Sequence, residues 1–158
     1  MATKEAVLAL MQDDEFNGLP QLVAMGAEAV PVLVAILRDP AAEPLMRQRA
    51  AVALGEIGAP AAAAAPALAD ALAHADPVQR ILAVRALAKV AGAGATASLA
   101  PLLHDPDASV AKVAVQCLGA VGGAQAVAAL AGVAESGPHD FVREQARDAV
   151  RKIEERLA

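Results

Sequence analysis

The sequence contains almost no aromatic residues: among 158 residues there are two phenylalanines and neither tyrosine nor tryptophan. A pocket that holds a flat ring by stacking would be difficult to build from such a composition. The apolar residues, which make up 57% of the chain, are mainly alanine, leucine and valine. Because alanine and leucine are strong helix formers, the composition predicts an all-α fold.

Cysteine and positive charge are also scarce. A single cysteine, Cys117, excludes an intrachain disulfide and fits a reducing compartment, which predicts a cytoplasmic protein. The net charge is −5; residues 1–79 carry 4 basic and 10 acidic side chains, and residues 80–158 carry 9 and 8. Since a phosphate backbone requires a strongly basic surface, we do not expect a nucleic acid as partner. The first residues show no signal peptide.

The sequence lacks the motifs that carry catalysis or bind metal ions. Its three histidines, His74, His104 and His139, are not accompanied by the further ligands that a zinc site needs. There is no serine elbow, no phosphate-binding loop ending in Lys-Ser/Thr and no GxGxxG pattern. We therefore predict that the protein is not an enzyme and holds neither a cofactor nor a metal ion.

One uncharged segment, residues 113–134, is long enough to cross a bilayer, for which a helix needs about 20 residues. It contains the pair Gly122-Gly123 and two glutamines, and the repeat register described below divides it between two helices. We therefore predict no membrane partner.

The chain has a clear internal repeat. The segment MRQRAAVALGEIG has its central leucine at Leu54, and related segments are centred on Leu87, Leu118 and Val150. A fainter copy is centred on Leu22. Successive copies are separated by about 31–33 residues, and a repeat of this period is typical of stacked helical units. We call the central residue of each copy the anchor.

Small and β-branched residues recur around each anchor. Positions four and one before it are small, and a β-branched residue lies three after it. On an α-helix these positions share one face, where small side chains let a second helix approach closely. Each copy is therefore predicted to be one helix of a packed pair. The residues in these three series are Ala50, Ala83, Ala114 and Ala146; Ala53, Ala86, Cys117 and Ala149; and Ile57, Val90, Val121 and Ile153.

A second series of leucines marks the other helix of each pair. Leu33, Leu68, Leu99 and Leu130 advance along the chain in step with the anchors. Pro66 and Pro101 fall within or near the start of these first helices and are predicted to bend or shorten them. The sequence thus predicts a single domain, residues 1–158, with units at about 1–26 (imperfect), 27–58, 59–91, 92–122 and 123–158.

The combined pattern resembles a known family. Leu-x-x-x-Leu-x-Asp followed by Val-Arg-x-x-Ala-x-x-Ala-Leu-Gly-x-Ile-Gly is similar to HEAT repeats, particularly the short bacterial type named after phycobilisome lyases. Tetratricopeptide repeats would require aromatic positions, and armadillo repeats usually need three helices in about forty residues. The resemblance implies a right-handed α-solenoid of about five stacked helix pairs, with the second helices on the concave side.

The resemblance also implies a role for three arginines in the turns between helices. In this family such arginines commonly pair with aspartates of the interhelical turns, which is a structural role. The matching arginines here are Arg47, Arg80 and Arg143, and the turn aspartates are Asp39, Asp76 and Asp105.

The outward positions of the second helices form the candidate binding site. They lie six and two residues before the anchor and two after it. Side by side they would make one extended surface, mildly basic at its centre, which suits an acidic peptide or helix. The predicted partner-binding residues are Gln48, Val52, Ile81, Arg85, Lys89, Lys112, Gln116, Glu144 and Asp148, and Glu56, Ala120 and Lys152 occupy the same set of positions.

The sequence supports two candidate functions. The favoured one is a non-enzymatic protein–protein interaction scaffold or assembly module that binds its partner through the concave surface. The alternative is a subunit of a chromophore (bilin) lyase or similar modifying enzyme, which only the family name suggests. The sequence leaves the identity of the partner and the oligomeric state open.

Overall fold

The computed structural model describes residues 3–158, and every regular element in that range is helical. Met1 and Ala2, which the sequence assigns to the first unit, lie outside the described residues. The α-helices are α1 (Lys4–Gln12), α2 (Leu19–Met25), α3 (Val30–Arg38), α4 (Pro44–Ile57), α5 (Ala65–Ala71), α6 (Pro77–Ala91), α7 (Thr96–Leu99), α8 (Ala108–Val121), α9 (Ala124–Ser136) and α10 (Asp140–Leu157). The 3-10 helices are Gly26–Glu28, Ala59–Ala64, Gly92–Ala95 and Ala100–His104.

These helices form two layers. The even-numbered α2, α4, α6, α8 and α10 pack side by side, each against the next, and we call them the second-helix layer. The first-helix layer contains α1, α3, α5, α7 and α9 together with the 3-10 helices beside them. Each second helix also packs on the first-helix element that precedes it. The result is a stack of helix pairs, so the predicted all-α solenoid is confirmed.

The anchors lie in the core between the layers. Leu22, Leu54 and Leu118 have no exposed surface, and Leu87 is only 2% exposed. Val150 packs against the same core but is only half-buried, and it borders an open cleft with Ala131 and Ala134 of α9. The anchors of the first four units are therefore interior, whereas that of the last unit is only partly so.

The leucines of the first-helix layer confirm the second predicted series. All four of them are completely buried: Leu33, Leu68, Leu99 and Leu130. Since they face the anchors across the same core, the two layers share one continuous apolar interior.

Proline shapes the first-helix layer as predicted. Pro66 stands in the first turn of α5, which follows the 3-10 helix Ala59–Ala64. Pro101 lies in the 3-10 helix Ala100–His104, into which the four-residue α7 passes. In the first turn, where Pro66 lies, a proline is tolerated; further into a helix it lacks a required N–H and its ring collides with the preceding turn, which fits the 3-10 geometry at Pro101. By contrast α9 contains no proline and runs unbroken for 13 residues.

Glycine and alanine bring adjacent second helices close together. A Cβ added to Gly55 of α4 would lie 3.0 Å from the Cα of Ala86 in α6. One added to Gly119 of α8 would lie 3.1 Å from the Cβ of Ala149 in α10. The small residues therefore set the spacing between the helices, as their positions in the repeat predict.

One stretch, Pro77–His104, matches a membrane span in length and composition. Half of its most apolar window is buried inside the structure, and the helix α6 within it ends before Gly92, whose φ is +53°. Leu19–Glu28 and Val30–Arg38 match only as a pair bent by 106°. Buried core helices meet the same criterion, so these matches are a weak indication of a membrane span. Residues 113–134, the segment noted in the sequence, are divided between α8 and α9 as predicted.

Candidate protein-binding surface

The outward side of the second-helix layer brings the predicted site residues onto one surface. They lie at equivalent positions on α4, α6, α8 and α10, which are neighbours in the stack. Each of them is exposed or half-buried. These residues are Gln48, Val52, Ile81, Arg85, Lys89, Lys112, Gln116, Glu144 and Asp148.

Contacts between adjacent second helices join side chains at the same or nearby positions of the repeat. Lys89 Nζ lies 2.6 Å from a carboxylate oxygen of Glu56, and both residues stand two after their anchors. One unit further along, Lys112 Nζ of α8 lies 5.4 Å from the centroid of the Phe141 ring in α10. The array therefore places side chains of neighbouring units within direct reach of one another.

Two open grooves run between the second helices. The groove between α4 and α6 has a volume of about 170 Å³ and is lined in part by Val52, Arg85 and Lys89. The groove between α8 and α10 has a volume of about 480 Å³, with Gln116 and Asp148 among its lining residues. Neither groove is lined by an aromatic ring within residues 3–158. A stacked tetrapyrrole, which the alternative function would require, therefore finds no aromatic support here.

The basic centre of the surface contains one arginine without an internal partner. Arg85 is exposed, and among the described residues it makes no hydrogen bond or ion pair. Its neighbours are engaged: Lys89 is paired with Glu56, and Lys112 lies over the ring of Phe141. Among these three cations, Arg85 is thus the one without a hydrogen bond, ion pair or ring contact among the described residues.

The charges of this basic centre affect the pKa of the Cys117 thiol. Burial raises the pKa of its thiol, and the charges of Arg85 and Lys89 act in the opposite direction without overcoming that effect. Burial disfavours the charged thiolate, whereas nearby cations favour it. The thiol is therefore predominantly protonated at neutral pH and is a poor nucleophile.

A series of exposed apolar residues borders the predicted site, and it was not among the residues predicted from the sequence. Leu45, Val78 and Phe141 are 51%, 49% and 54% exposed, and we call these three residues the apolar row. Each stands nine residues before its anchor, where the fourth unit has Ser109. Nine residues at about 100° each make two and a half turns, so this position points away from the core. Extending the repeat register by one helical turn would have found it.

The turn edge of the solenoid holds a buried ion pair between units. Arg80 donates through Nε and Nη2 to the two carboxylate oxygens of Asp105, each at 2.9 Å. It also donates to the carbonyls of His74 and Ala75 at 2.8 and 3.0 Å. The hydrogen bond to Asp105 raises the pKa of Arg80, against the opposing effect of burial. This confirms the family role for one arginine, which pairs with the aspartate of the following unit.

The same expectation is wrong for the other two arginines. Arg47 donates to backbone carbonyls of its own turn, among them that of Asp39 at 3.3 Å. Arg143 donates to the carbonyl of Gly137 and pairs with Asp140. The carboxylate of Asp39 instead accepts from the N–H of Ala41. In the same way, the Asp76 carboxylate accepts from the N–H of Val78 at the start of α6. These short acidic side chains accept from free N–H groups of their own turns.

Buried polar side chains that the sequence did not single out also join successive units. Arg49, 8% exposed, donates to the carbonyls of Met11 and Asp14 at 2.5 and 2.8 Å. Gln79, 2% exposed, donates to the carbonyl of Pro44 at 3.0 Å. The repeat register does carry a signal for them, because the position of Arg49 holds Leu82 and Val113 in the next two units, and that of Gln79 holds Met46, Val110 and Val142 in the other units. Both contacts run from a second helix to the backbone of the preceding unit, so their role is structural.

Two of the three histidines, His74 and His139, form hydrogen bonds with the backbone. His74 Nδ1 accepts from the N–H of Asp76 at 3.0 Å, and His139 Nε2 donates to the carbonyl of Asp105 at 3.0 Å. In the part of the chain that the structure describes, no group of three or more His, Cys, Asp or Glu residues is placed to hold a metal ion.

The fold defines the class of the molecule: an α-solenoid, that is, a helical-repeat protein with an open outward surface on one layer. The sequence profile of HEAT repeats matches residues 65–151, more than half of the chain. The chain therefore belongs to the HEAT repeat family. The phycobilisome-lyase type within that family stays a prediction.

Comparison with solved structures finds 24 matching chains. No curated protein matches the sequence. The crystal structure of an engineered protein, a target of the Northeast Structural Genomics Consortium, has a TM-score of 0.62 and 22% sequence identity. The alignment covers 97% of this chain and 80% of that chain. At this identity the likeness shows the fold alone.

Proposed function

We propose that the protein is a non-enzymatic scaffold that binds an acidic segment of a partner protein on the outward side of its second-helix layer. The observation that carries the proposal is Arg85, an exposed cation at the centre of the array that makes no ion pair among the described residues. A guanidinium presents a planar set of donors that matches a carboxylate. An incoming Asp or Glu would supply the acceptor that the fold does not.

The charge distribution supports an acidic partner. The whole chain carries a net charge of −5, yet the centre of this surface holds Arg85, Lys89 and Lys112. Only Lys89 is neutralised there, by Glu56. A local positive region on an otherwise acidic protein orients an anionic partner as it approaches and disfavours other orientations.

The test is capture followed by titration of single purified partners. Proteins retained from native lysate by the immobilised chain are identified by mass spectrometry and expressed individually. Each is then titrated against the wild-type protein and the double variant Arg85→Glu, Lys112→Glu. We expect binding to weaken at least about tenfold and to depend on salt, since both reversals place like charges against the partner.

A charge reversal on the other layer serves as the matched control. Arg38→Glu alters the exposed pair of Arg38 with Asp70 at the end of α3. It changes the net charge in the same sense but leaves the second-helix layer intact. A partner that loses affinity equally for Arg38→Glu, or that binds the double variant as well as the wild type, would overturn the proposal.

A further inference from the structure

We infer that the bound segment is an acidic amphipathic α-helix that lies across the second helices, with its apolar side on the apolar row and its acidic flank towards Arg85. This inference rests on the proposed function and specifies the chemistry of the partner. It draws on the apolar row, on the spacing of the units and on the position of the charges relative to the row.

The arrangement of the apolar row sets it apart from ordinary exposed side chains. Isolated exposed apolar residues are normal on protein surfaces. Leu45, Val78 and Phe141, however, stand at one register position on α4, α6 and α10, and each is about half exposed. Because they stand at one register position on helices that stack in order, the three side chains lie on the same side of the array, with Ser109 of α8 between Val78 and Phe141.

The spacing of the units favours a helix over an extended chain. Packed helix axes lie about 8–10 Å apart. Seven residues of an α-helix rise about 10.5 Å and return to nearly the same face. Three residues of an extended chain also span about 10 Å, but they end on the opposite face. Counted from Leu45, helical residues i, i+7 and i+21 would meet the apolar row, and i+14 would meet Ser109.

The charges lie where the flank of such a helix would reach them. Arg85 follows Val78 by seven residues on α6, so it lies roughly 10.5 Å further along that helix, about the diameter of one α-helix. Lys112 Nζ is 5.4 Å from the ring of Phe141, which places a second cation beside the row itself. A helix resting on the row would therefore meet positive charge along one flank, and acidic residues there would complement it.

Selection from a random peptide library tests this inference. A displayed library of about 24-residue peptides is long enough to cover the row as a helix, since about 22 residues rise about 33 Å. We expect the selected peptides to share apolar residues at seven-residue spacing, to carry net negative charge and to gain helical circular dichroism on binding. They should bind the variant Leu45→Ser, Val78→Ser, Phe141→Ser at least about tenfold more weakly.

A matched variant controls for the loss of exposed apolar surface. Val23→Ser with Leu157→Ser removes exposed apolar side chains that lie outside the row, and we expect peptide binding to be unchanged. Far-ultraviolet circular dichroism and denaturation midpoints of all variants verify that the fold is intact.

The possible outcomes separate the inference from the function on which it rests. If the selected peptides are acidic without apolar periodicity and bind the row variant as tightly as the wild type, the inference fails and the proposed function stands. If no selected peptide loses affinity for Arg85→Glu, Lys112→Glu, both fail. If sedimentation shows self-association that the row variant abolishes, the row belongs to a second copy and the inference is overturned.

Discussion

The two layers of this solenoid have similar apolar cores but differ in regularity. The second helices α4, α6, α8 and α10 are unbroken and 14, 15, 14 and 18 residues long. In the first-helix layer α5 has seven residues and α7 has four, and 3-10 helices complete both. Pro66 and Pro101 lie where this irregularity is greatest.

This difference explains why only one layer presents a regular surface. Positions nine before to two after the anchor span twelve residues, about three helical turns, and stay on one face only if the helix is continuous. The second helices meet that condition. A four-residue helix followed by a 3-10 segment does not, because the 3-10 geometry changes the angle between successive side chains.

The largest effect is expected at the anchors, which the second-helix layer contributes to the core. Leu87→Ala should destabilise the protein by about 2–5 kcal/mol, because it leaves a cavity where the side chain is now 2% exposed. Chemical denaturation measures the change. Val78→Ala in the same helix should change the stability by less than about 0.5 kcal/mol, as the side chain is half exposed. Equal effects of both substitutions would contradict the register.

The buried ion pair at the turn edge should stabilise the fold more than the exposed ion pair of the first-helix layer. Arg80→Ala should cost roughly 2–4 kcal/mol, because it strands the buried carboxylate of Asp105 and frees two carbonyls. Arg38→Ala removes an exposed pair with Asp70, so we expect about 0–1 kcal/mol. Thermal or urea unfolding of both variants measures the two losses of stability. A larger loss for Arg38→Ala than for Arg80→Ala would contradict this prediction.

Glycine should be required in the second-helix layer and replaceable in the first. Gly55→Leu introduces a side chain against the backbone of Ala86 and should cost about 1–3 kcal/mol through overpacking. The same substitution at Gly132 in α9 places the new Cβ where no other atom lies within 4 Å. There the gain in helix propensity should make it neutral or stabilising by about 0.5–1 kcal/mol. Denaturation curves of the two variants decide whether close approach is confined to the second-helix layer.

The smallest effect concerns the electrostatics at Cys117 in α8. Because burial raises its thiol pKa, the fraction of reactive thiolate at a given pH is lowered, so alkylation by iodoacetamide should be slower than in the unfolded chain. Arg85→Glu removes a charge that favours the thiolate and should slow the reaction further, by roughly threefold at pH 8. Arg38→Glu is the control, and an unchanged rate for Arg85→Glu would place that charge away from Cys117.

Much of the fold could be predicted because the same pattern of buried positions recurs in successive units. The anchors Leu54, Leu87 and Leu118 recur with the same small neighbours, and Leu33 and Leu68 repeat in step with them. Periodicity fixes which face of a helix is buried. It does not fix how closely the two helices of a pair pack, which is why the exposure of Val150, beside an open cleft between α9 and α10, was not foreseen.

The polar contacts were harder to predict because they depend on the geometry of each turn. The carboxylates of Asp39 and Asp105 stand in similar turns, but only that of Asp105 points to an arginine. Arg49 reaches the backbone of the first unit from a position that holds leucine or valine in the next two units. The nine predicted site residues do share one surface, and their role in binding stays a prediction.

Asp105 connects three successive units at a single residue. Its carboxylate accepts from Arg80 of the preceding helix pair and from the N–H of Asp107, and its carbonyl accepts from His139 of the following pair. In a linear array, stability is approximately the sum of unit energies and nearest-neighbour couplings. A residue that contributes to two couplings at once makes melting of the array more cooperative, so without it the N-terminal and C-terminal halves would begin to unfold as separate blocks.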